Sequence, residues 1–503
     1  MLWSVASRIP SREPQPRAGL GRFPASMGCT ALDPSLDARA QARFLNDRMP
    51  VGLFGGVGVE QNRVAWRLSP EPFPLAPATF AAIESLGPEL YRFYRALTSL
   101  YGRSVRGSAP AFVADYLDRG KPDSVVKLGR QNRFKSEVPR VIRPDLILTE
   151  GGFIASELDS IPGGMGFVGA MAQAYCELGH DTLGGVDGMP AGFAALLAGV
   201  AGRADPTVAV VVSAESGDYR AELAWLAAAI RARALADVHV CGPEEIVFTE
   251  DALFVRLPDG EERKLDVLYR NFELFDLPNV PKSELMLYAA RHQRVALTPP
   301  PKAHLEEKLA FALLHHPRLA GYWRGELGPA FDHLRAIFPQ TWVLDPRPLP
   351  PQGVIAGLEA AGEPLGEWQQ LVPLGKSERD YVIKPSGFSE LAWGSRGVKV
   401  AADLARPDWE AALEAGLAAF DTTPHILQRF HKGRRVRIPY YDERRDAIET
   451  LDGRVRLCPY YFVVGEDVRL GGILATIAPA DKRLIHGMSD AIMSPCTLRD
   501  DGY

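Results

Sequence analysis

The chain is poor in cysteine, and its cysteines are scattered. There are five, at positions 29, 176, 241, 458 and 496, and no Cys-x-x-Cys occurs. Neither a disulfide framework nor a zinc site is signalled. A reducing cytoplasm is the simplest home on that ground. Long apolar runs are also missing. The longest small-apolar stretch, residues 191–201, falls well short of the ~20 residues that span a bilayer, which argues against a membrane protein. The first thirty residues hold Arg, Pro and Ser but no apolar core, so they read as a disordered tail and not a signal peptide, with Met27 as an alternative start. Excess charge of one sign is absent: 57 Lys and Arg face 62 Asp and Glu, a net charge of −5. That balance makes no electrostatic case for nucleic acid or an anionic membrane surface. The Gly-x-x-x-x-Gly-Lys-Ser/Thr phosphate loop is absent as well.

What remains is an ordinary globular composition, 46% hydrophobic and 24% charged over 503 residues. That length suits roughly three domains of about 150 residues. Residues 31 to about 200 read as mainly helical. Apolar spacing predicts a helix from Pro77 to Tyr101 with a break at Gly87-Pro88, and another from Met165 to Leu178. At Asp205-Pro206 the pattern changes. Residues 207–213 form an apolar run of strand length, followed by a helix over 219–234 and strands at 238–241 and 265–269. This is the pattern of an α/β unit. The loop after its first strand lacks Gly-x-Gly-x-x-Gly, so no dinucleotide site is assigned. Residues 346–375 read as a connection, and β-rich stretches follow it.

Two segments carry chemistry. In the first, the strand-like runs 145–149 and 153–155 flank a turn at Glu150-Gly151-Gly152. A hairpin there brings Asp145 beside Glu157 and Asp159, which share one strand face. Three acids on one side of a sheet repel one another unless a cation sits between them, and hard oxygen ligands suit Mg²⁺. The alternative is solvated loop acids. In the second segment, a strand ending at Lys384 precedes Pro385-Ser386-Gly387 and the Gly394-Ser395-Arg396-Gly397 loop. Glycines let backbone N–H groups approach an anion, and lysine adds a compact charge, a combination suited to a nucleoside triphosphate. A β-hairpin with an incidental lysine has the same pattern. His425 to Phe430 reads as a buried strand able to line a purine pocket.

Together these segments resemble the ATP-grasp ligases. The carboxylates precede Lys384 by more than 200 residues. The chain therefore resembles the circularly permuted branch, related in architecture to glutathione synthetase and glutathionylspermidine synthase, in which Arg-x-Asp, a glycine turn and Glu-x-Asn/Asp come first. The resemblance implies an α/β (α+β) ATP-grasp fold, circularly permuted, with a Rossmann-like pre-ATP-grasp unit and an N-terminal helical region. On that basis 1–30 is a tail, and 31–204 is the helical region with the metal-binding hairpin. The pre-ATP-grasp unit is 205–300, the nucleotide-binding and lid subdomain 301–440, and the strands that complete the core 441–503.

Residue roles follow from the same resemblance. Asp145, Glu157 and Asp159 match the magnesium ligands, and Lys308 and Lys384 the lysines on ATP phosphates. Gly394, Ser395 and Gly397 match the lid loop, Ser386 counts with the residues that bind the nucleotide, Gln428, Arg429 and Phe430 match the adenine hinge, and Arg456 matches an arginine near the transferring phosphate. Thr476 stands where the pattern often has arginine. The implied activity is ATP- and Mg²⁺-dependent joining of a small-molecule carboxylate to an amine through an acyl-phosphate. A silent ATP-binding scaffold and a small-molecule kinase are the alternatives. Arg270 could bind substrate or form an ion pair. Oligomeric state is open, a homo-oligomer included.

Overall fold

The computed structural model describes residues 36–49, 53, 67–350, 352–360, 362–392, 396–485 and 490–503. An eight-stranded sheet forms its centre. The strands run in the order Arg67–Leu68, Ile492–Leu498, Asp467–Pro479, Ala447–Val464, Val141–Thr149 and Gly152–Asp159, with Arg435–Asp442 and Phe73–Leu75 pairing alongside. The acid hairpin thus shares a sheet with the last strands of the chain. Arg456 is the register partner of Ile147, and Leu457 of Leu146. Apolar side chains on the long strand Ala447–Val464, among them Val455, Leu457 and Tyr461, join helix and hairpin residues in one buried cluster. At about 25 cal/mol per Å² of apolar surface, this burial is the main force holding the hairpin against the C-terminal strands.

The α/β unit forms as its apolar pattern predicts. Ala296–Thr298, Val267–Asn271, Thr207–Val212 and Asp237–Cys241 make a four-stranded parallel sheet. Thr341–Val343, His425–Arg429, Tyr381–Pro385 and Lys399–Val400 make a separate antiparallel sheet. A small antiparallel sheet at Ile246–Phe248, Leu253–Arg256 and Glu262–Lys264 went unread in the sequence.

Two expectations are corrected. The helix Pro77–Val105 runs through Gly87-Pro88 without ending. A proline inside a helix costs about 3 kcal/mol, but this helix buries Leu86, Leu90, Phe93 and Leu97 against the sheet. Gly87 also lets it approach the Tyr461 ring, which a Cβ would meet at 2.5 Å. Tertiary burial therefore outweighs the local break. Second, Cys176 is disulfide-bonded, so widely spaced cysteines did not exclude a disulfide. Among the described residues no helix is long and apolar enough to cross a membrane.

The turn after the hairpin is held by a buried acid. Glu222 is wholly buried and accepts from the N–H groups of Gly164 at 2.8 Å, Phe167 at 3.3 Å, and Gly166. It thereby caps the helix Met165–Glu177. Burial pushes its carboxyl up from 4.5 to about 7, against the pull of these N–H groups. The unfolded chain therefore releases this proton first as pH rises. The resulting loss of stability develops between about 4.5 and 7 and is complete above that window. Urea unfolding from pH 5 to 7.5 is expected to show the native chain losing up to about 3 kcal/mol relative to Glu222→Gln. Parallel pH profiles for the two chains would contradict this.

Candidate active site

The hairpin sets the site. Asp145 pairs directly with Glu157 and Arg143 with Asp159, with a register irregularity just after Asp145. Directly opposed residues of an antiparallel pair lie on one face of the sheet, so these four side chains are neighbours. Across the cleft the antiparallel sheet presents Lys384 from Tyr381–Pro385 and Gln428 from His425–Arg429. The segment that starts the helix Leu309–His315 adds Lys308.

The charges interlock. Asp145 is 3% exposed. It accepts from Arg143 Nε at 3.1 Å, from Arg456 Nη1 at 2.9 Å and from the Cys458 thiol at 3.4 Å. Burial alone would raise this carboxyl, but the two guanidiniums override it and hold it below the usual carboxylate range. The Cys458 thiol is pushed up to about 12 by burial and by Asp145. Glu157 Oε1 faces Lys384 Nζ at 3.6 Å and Lys308 Nζ at 3.8 Å. Lys384 also donates to the Ser156 carbonyl at 3.0 Å, and Lys308 to that of Ala392 at 3.0 Å. Burial, more than its partners, draws the Lys384 ammonium below its ordinary value, and neighbouring Lys308 adds to the shift.

Asp145, Glu157, Lys308, Lys384 and Arg456 therefore meet in one place. The three acids do not form a cage. Asp159 is turned to Arg143 Nη2 at 3.0 Å and to the Ile161 N–H at 2.9 Å. Among the described residues no group of three or more His, Cys, Asp or Glu is arranged to hold a metal ion. The cation between the acids is arginine. Of the three, Glu157 faces only ammonium groups and keeps 34% side-chain exposure. Such a carboxylate can join phosphate oxygens around Mg²⁺, which commonly takes one or two protein carboxylates. Arg456 Nε is buried in the same cleft without a hydrogen-bond partner among the described residues. This set of cations fits a phosphate group.

The cleft between the two sheets is lined by Asp145, Glu157, Lys384, Gln428, Phe430 and Arg456, and encloses about 80 Å³. Small-molecule sites are usually ~300 Å³ or more, so a nucleotide fits only if the two sheets move apart. Gln428 is buried and donates to Thr341 Oγ1 at 3.2 Å. Arg429 stacks over the Tyr381 ring at 4.6 Å.

Other candidates have structural partners. Ser386 lies beneath the cleft and donates to Glu307, which also accepts from Gly387 N–H at 3.1 Å and pairs with Lys121. At Gly387 a Cβ would fall 1.3 Å from the Glu306 carbonyl. The Lys384 strand and the Lys308 segment are thus pressed together at a point where only glycine fits. Gly397 packs on Pro385, which a Cβ would meet at 2.7 Å. Gly394 and Ser395 lie outside the described residues. Arg270 is fully buried and pairs with Glu306 at 2.6 Å. The Lys121–Glu307 pair, Cys458 and the Glu222 cap were missed by sequence reasoning. Each joins residues too distant along the chain for any local pattern to signal.

No family model matches the chain, and no curated protein matches it. Solved structures do. A protein provisionally assigned as a gamma-glutamylcysteine synthetase from Methylobacillus flagellatus is 10% identical, covering 79% of this chain and 86% of that one, at a TM-score of 0.38. A glutathione synthetase-like effector from Globodera pallida, in its apo form, is 12% identical at a TM-score of 0.54. It covers 94% of this chain and 100% of that one. By that likeness, which extends over nearly the whole chain, the protein has a glutathione synthetase-like fold.

Proposed function

We propose that the cleft binds the phosphates of ATP with Mg²⁺, and that the protein is an ATP-dependent carboxylate–amine ligase with a circularly permuted ATP-grasp core. The observation that carries this reading is the meeting of Lys384, Lys308 and Arg456 with Glu157 between two sheets. The acid hairpin comes early in the chain and the lysine and hinge strands late, yet they face one another, which supports the permuted arrangement. The lysines and Arg456 would offset charge on the transferring phosphoryl group, and Glu157 would hold Mg²⁺ together with phosphate oxygens. A substrate carboxylate attacks the γ-phosphorus, giving an acyl-phosphate and ADP, and an amine then displaces phosphate to form the amide. The buried setting of Lys384 limits water, which would otherwise hydrolyse the acyl-phosphate. The partners are a small-molecule carboxylate and an amine.

A second reading, an ATP-binding scaffold without turnover, is favoured by two observations. Asp145 is already neutralised by two arginines. Thr476 is fully buried and its hydroxyl has no partner. Thermal unfolding with a Mg-ATP titration tests both. Binding at 100 Kd stabilises by about 2.7 kcal/mol. A rise in Tm with ADP released in pools of carboxylates and amines supports the ligase. A rise without ADP supports the scaffold, and no rise sinks both.

A further inference from the structure

We propose that a second cavity, separate from the cleft, binds a small phosphate-bearing anion. It encloses about 600 Å³ between the helix Pro77–Val105, the segment around residues 129–140, and Lys302 with His304. That volume suits a small-molecule site. None of its lining residues is shared with the cleft.

The walls are cationic in a chain whose net charge is −5. Six basic side chains, Arg95, Arg106, Arg130, Lys135, Arg140 and Lys302, face two carboxylates, Glu137 and Glu466. Both acids are already engaged, Glu466 by Arg95 and Glu137 by Arg133 at 3.4 Å. Arg130 is taken by Asp118, and it donates to the Tyr101 hydroxyl at 2.9 Å. Among the described residues four cations remain without an ion pair of their own. Arg106 and Lys135 are exposed at the mouth. Arg140 reaches only the Gly465 carbonyl, at 2.9 Å. Lys302, deep in the wall at 2% exposure, reaches only the carbonyls of Lys135 at 3.0 Å and Glu137 at 2.7 Å. Burial draws its ammonium down to about 8, against the opposing pull of the Glu137 carboxylate.

Three polar atoms on the same walls are buried without a partner: His304 Nε2, Thr98 Oγ1 and Arg140 Nε. His304 is 4% exposed and its ring is stacked on Tyr101 at 4.0 Å, so it cannot swing out to water. Burial and the cations around it keep the imidazole neutral. Each unpartnered atom carries a desolvation cost, and the unpaired cations repel one another. A ligand with several charged oxygens relieves both. Guanidinium, ammonium, hydroxyl and imidazole groups set around one space match the many acceptors of a phosphate better than a single carboxylate.

This assignment does not depend on the ligase reading. Calorimetric titration of the whole chain with pyrophosphate at low salt, without Mg²⁺, tests it. The titration is made on Lys308→Ala, in which the cleft has lost a phosphate-binding lysine, and on the triple variant that adds Arg106→Ala and Lys135→Ala, both at exposed positions. Pyrophosphate is expected to bind Lys308→Ala and to bind the triple variant at least tenfold more weakly. Silence in Lys308→Ala, or equal binding by the triple variant, would each overturn the assignment. Citrate binding as tightly as pyrophosphate would overturn the phosphate class.

Discussion

Lys384→Ala is expected to lower ATP-dependent ADP formation by about 10²–10³-fold, the scale seen when one preorganised donor to a developing charge is removed. The lysine is 6% exposed, is held by the Ser156 carbonyl at 3.0 Å, and lies 3.6 Å from Glu157. It is therefore held at the cleft wall before phosphate arrives, and the opening that admits a nucleotide frees it from Ser156 and Glu157 to meet the phosphates. Its loss leaves Glu157 facing Lys308 alone, and a buried anion-binding wall without its central charge. Lys384→Arg should not rescue, because a planar fork cannot replace a compact ammonium on a crowded strand. The check is a coupled assay of ADP release alongside Mg-ATP affinity from thermal shifts. ADP formation within twofold of the native chain would remove Lys384 from the chemistry and leave its lysine–acid contacts as structural.

Asp145→Ala is expected to destabilise the fold by about 3–5 kcal/mol, whatever the cleft binds. The substitution leaves the buried Arg456 guanidinium without its anion and Arg143 with Asp159 alone, and removing one member of a buried ionic group has that cost. The cluster's net worth is smaller than the loss suggests. Replacing Asp145, Arg143 and Arg456 together by apolar residues of similar volume should recover much of the stability, though not any activity. The same carboxyl sets an acid limit. Its folded value lies below the ordinary 3.8, so its stabilisation is present above that pH and is lost as pH falls through the lowered value. Urea unfolding at pH 7 is the measurement, and a loss below 1 kcal/mol for Asp145→Ala would show that the arginines find other partners.

Local pattern was enough for several elements. Alternation and a glycine turn located the hairpin, and the structure pairs Asp145 with Glu157 as that spacing implies. The apolar run at Thr207–Val212 is a strand buried on both faces. Such signals are readable because strand and helix periods are written within a few residues. The break expected at Gly87-Pro88 failed because burial against the sheet outweighs a local penalty. The disulfide at Cys176 was invisible for a related reason, since spacing says nothing about which distant thiols meet.

The amino-acid sequence by itself determined which residue types are available, three acids and a lysine strand among them, and the local turns and strands that carry them. Its chain order also led to the requirement that the hairpin and the last strands share a sheet. Only the tertiary structure decided what each charge faces. It put Arg143 between Asp145 and Asp159, set Arg456 on Asp145, left Glu157 to the lysines, and used Ser386 to hold Glu307. It also gathered cations from three separate segments into a second cavity. The physical reason is that Coulomb and hydrogen-bond energies depend on distance and burial in space, which close only when the sheets pack, whereas sequence spacing constrains neighbours within one element.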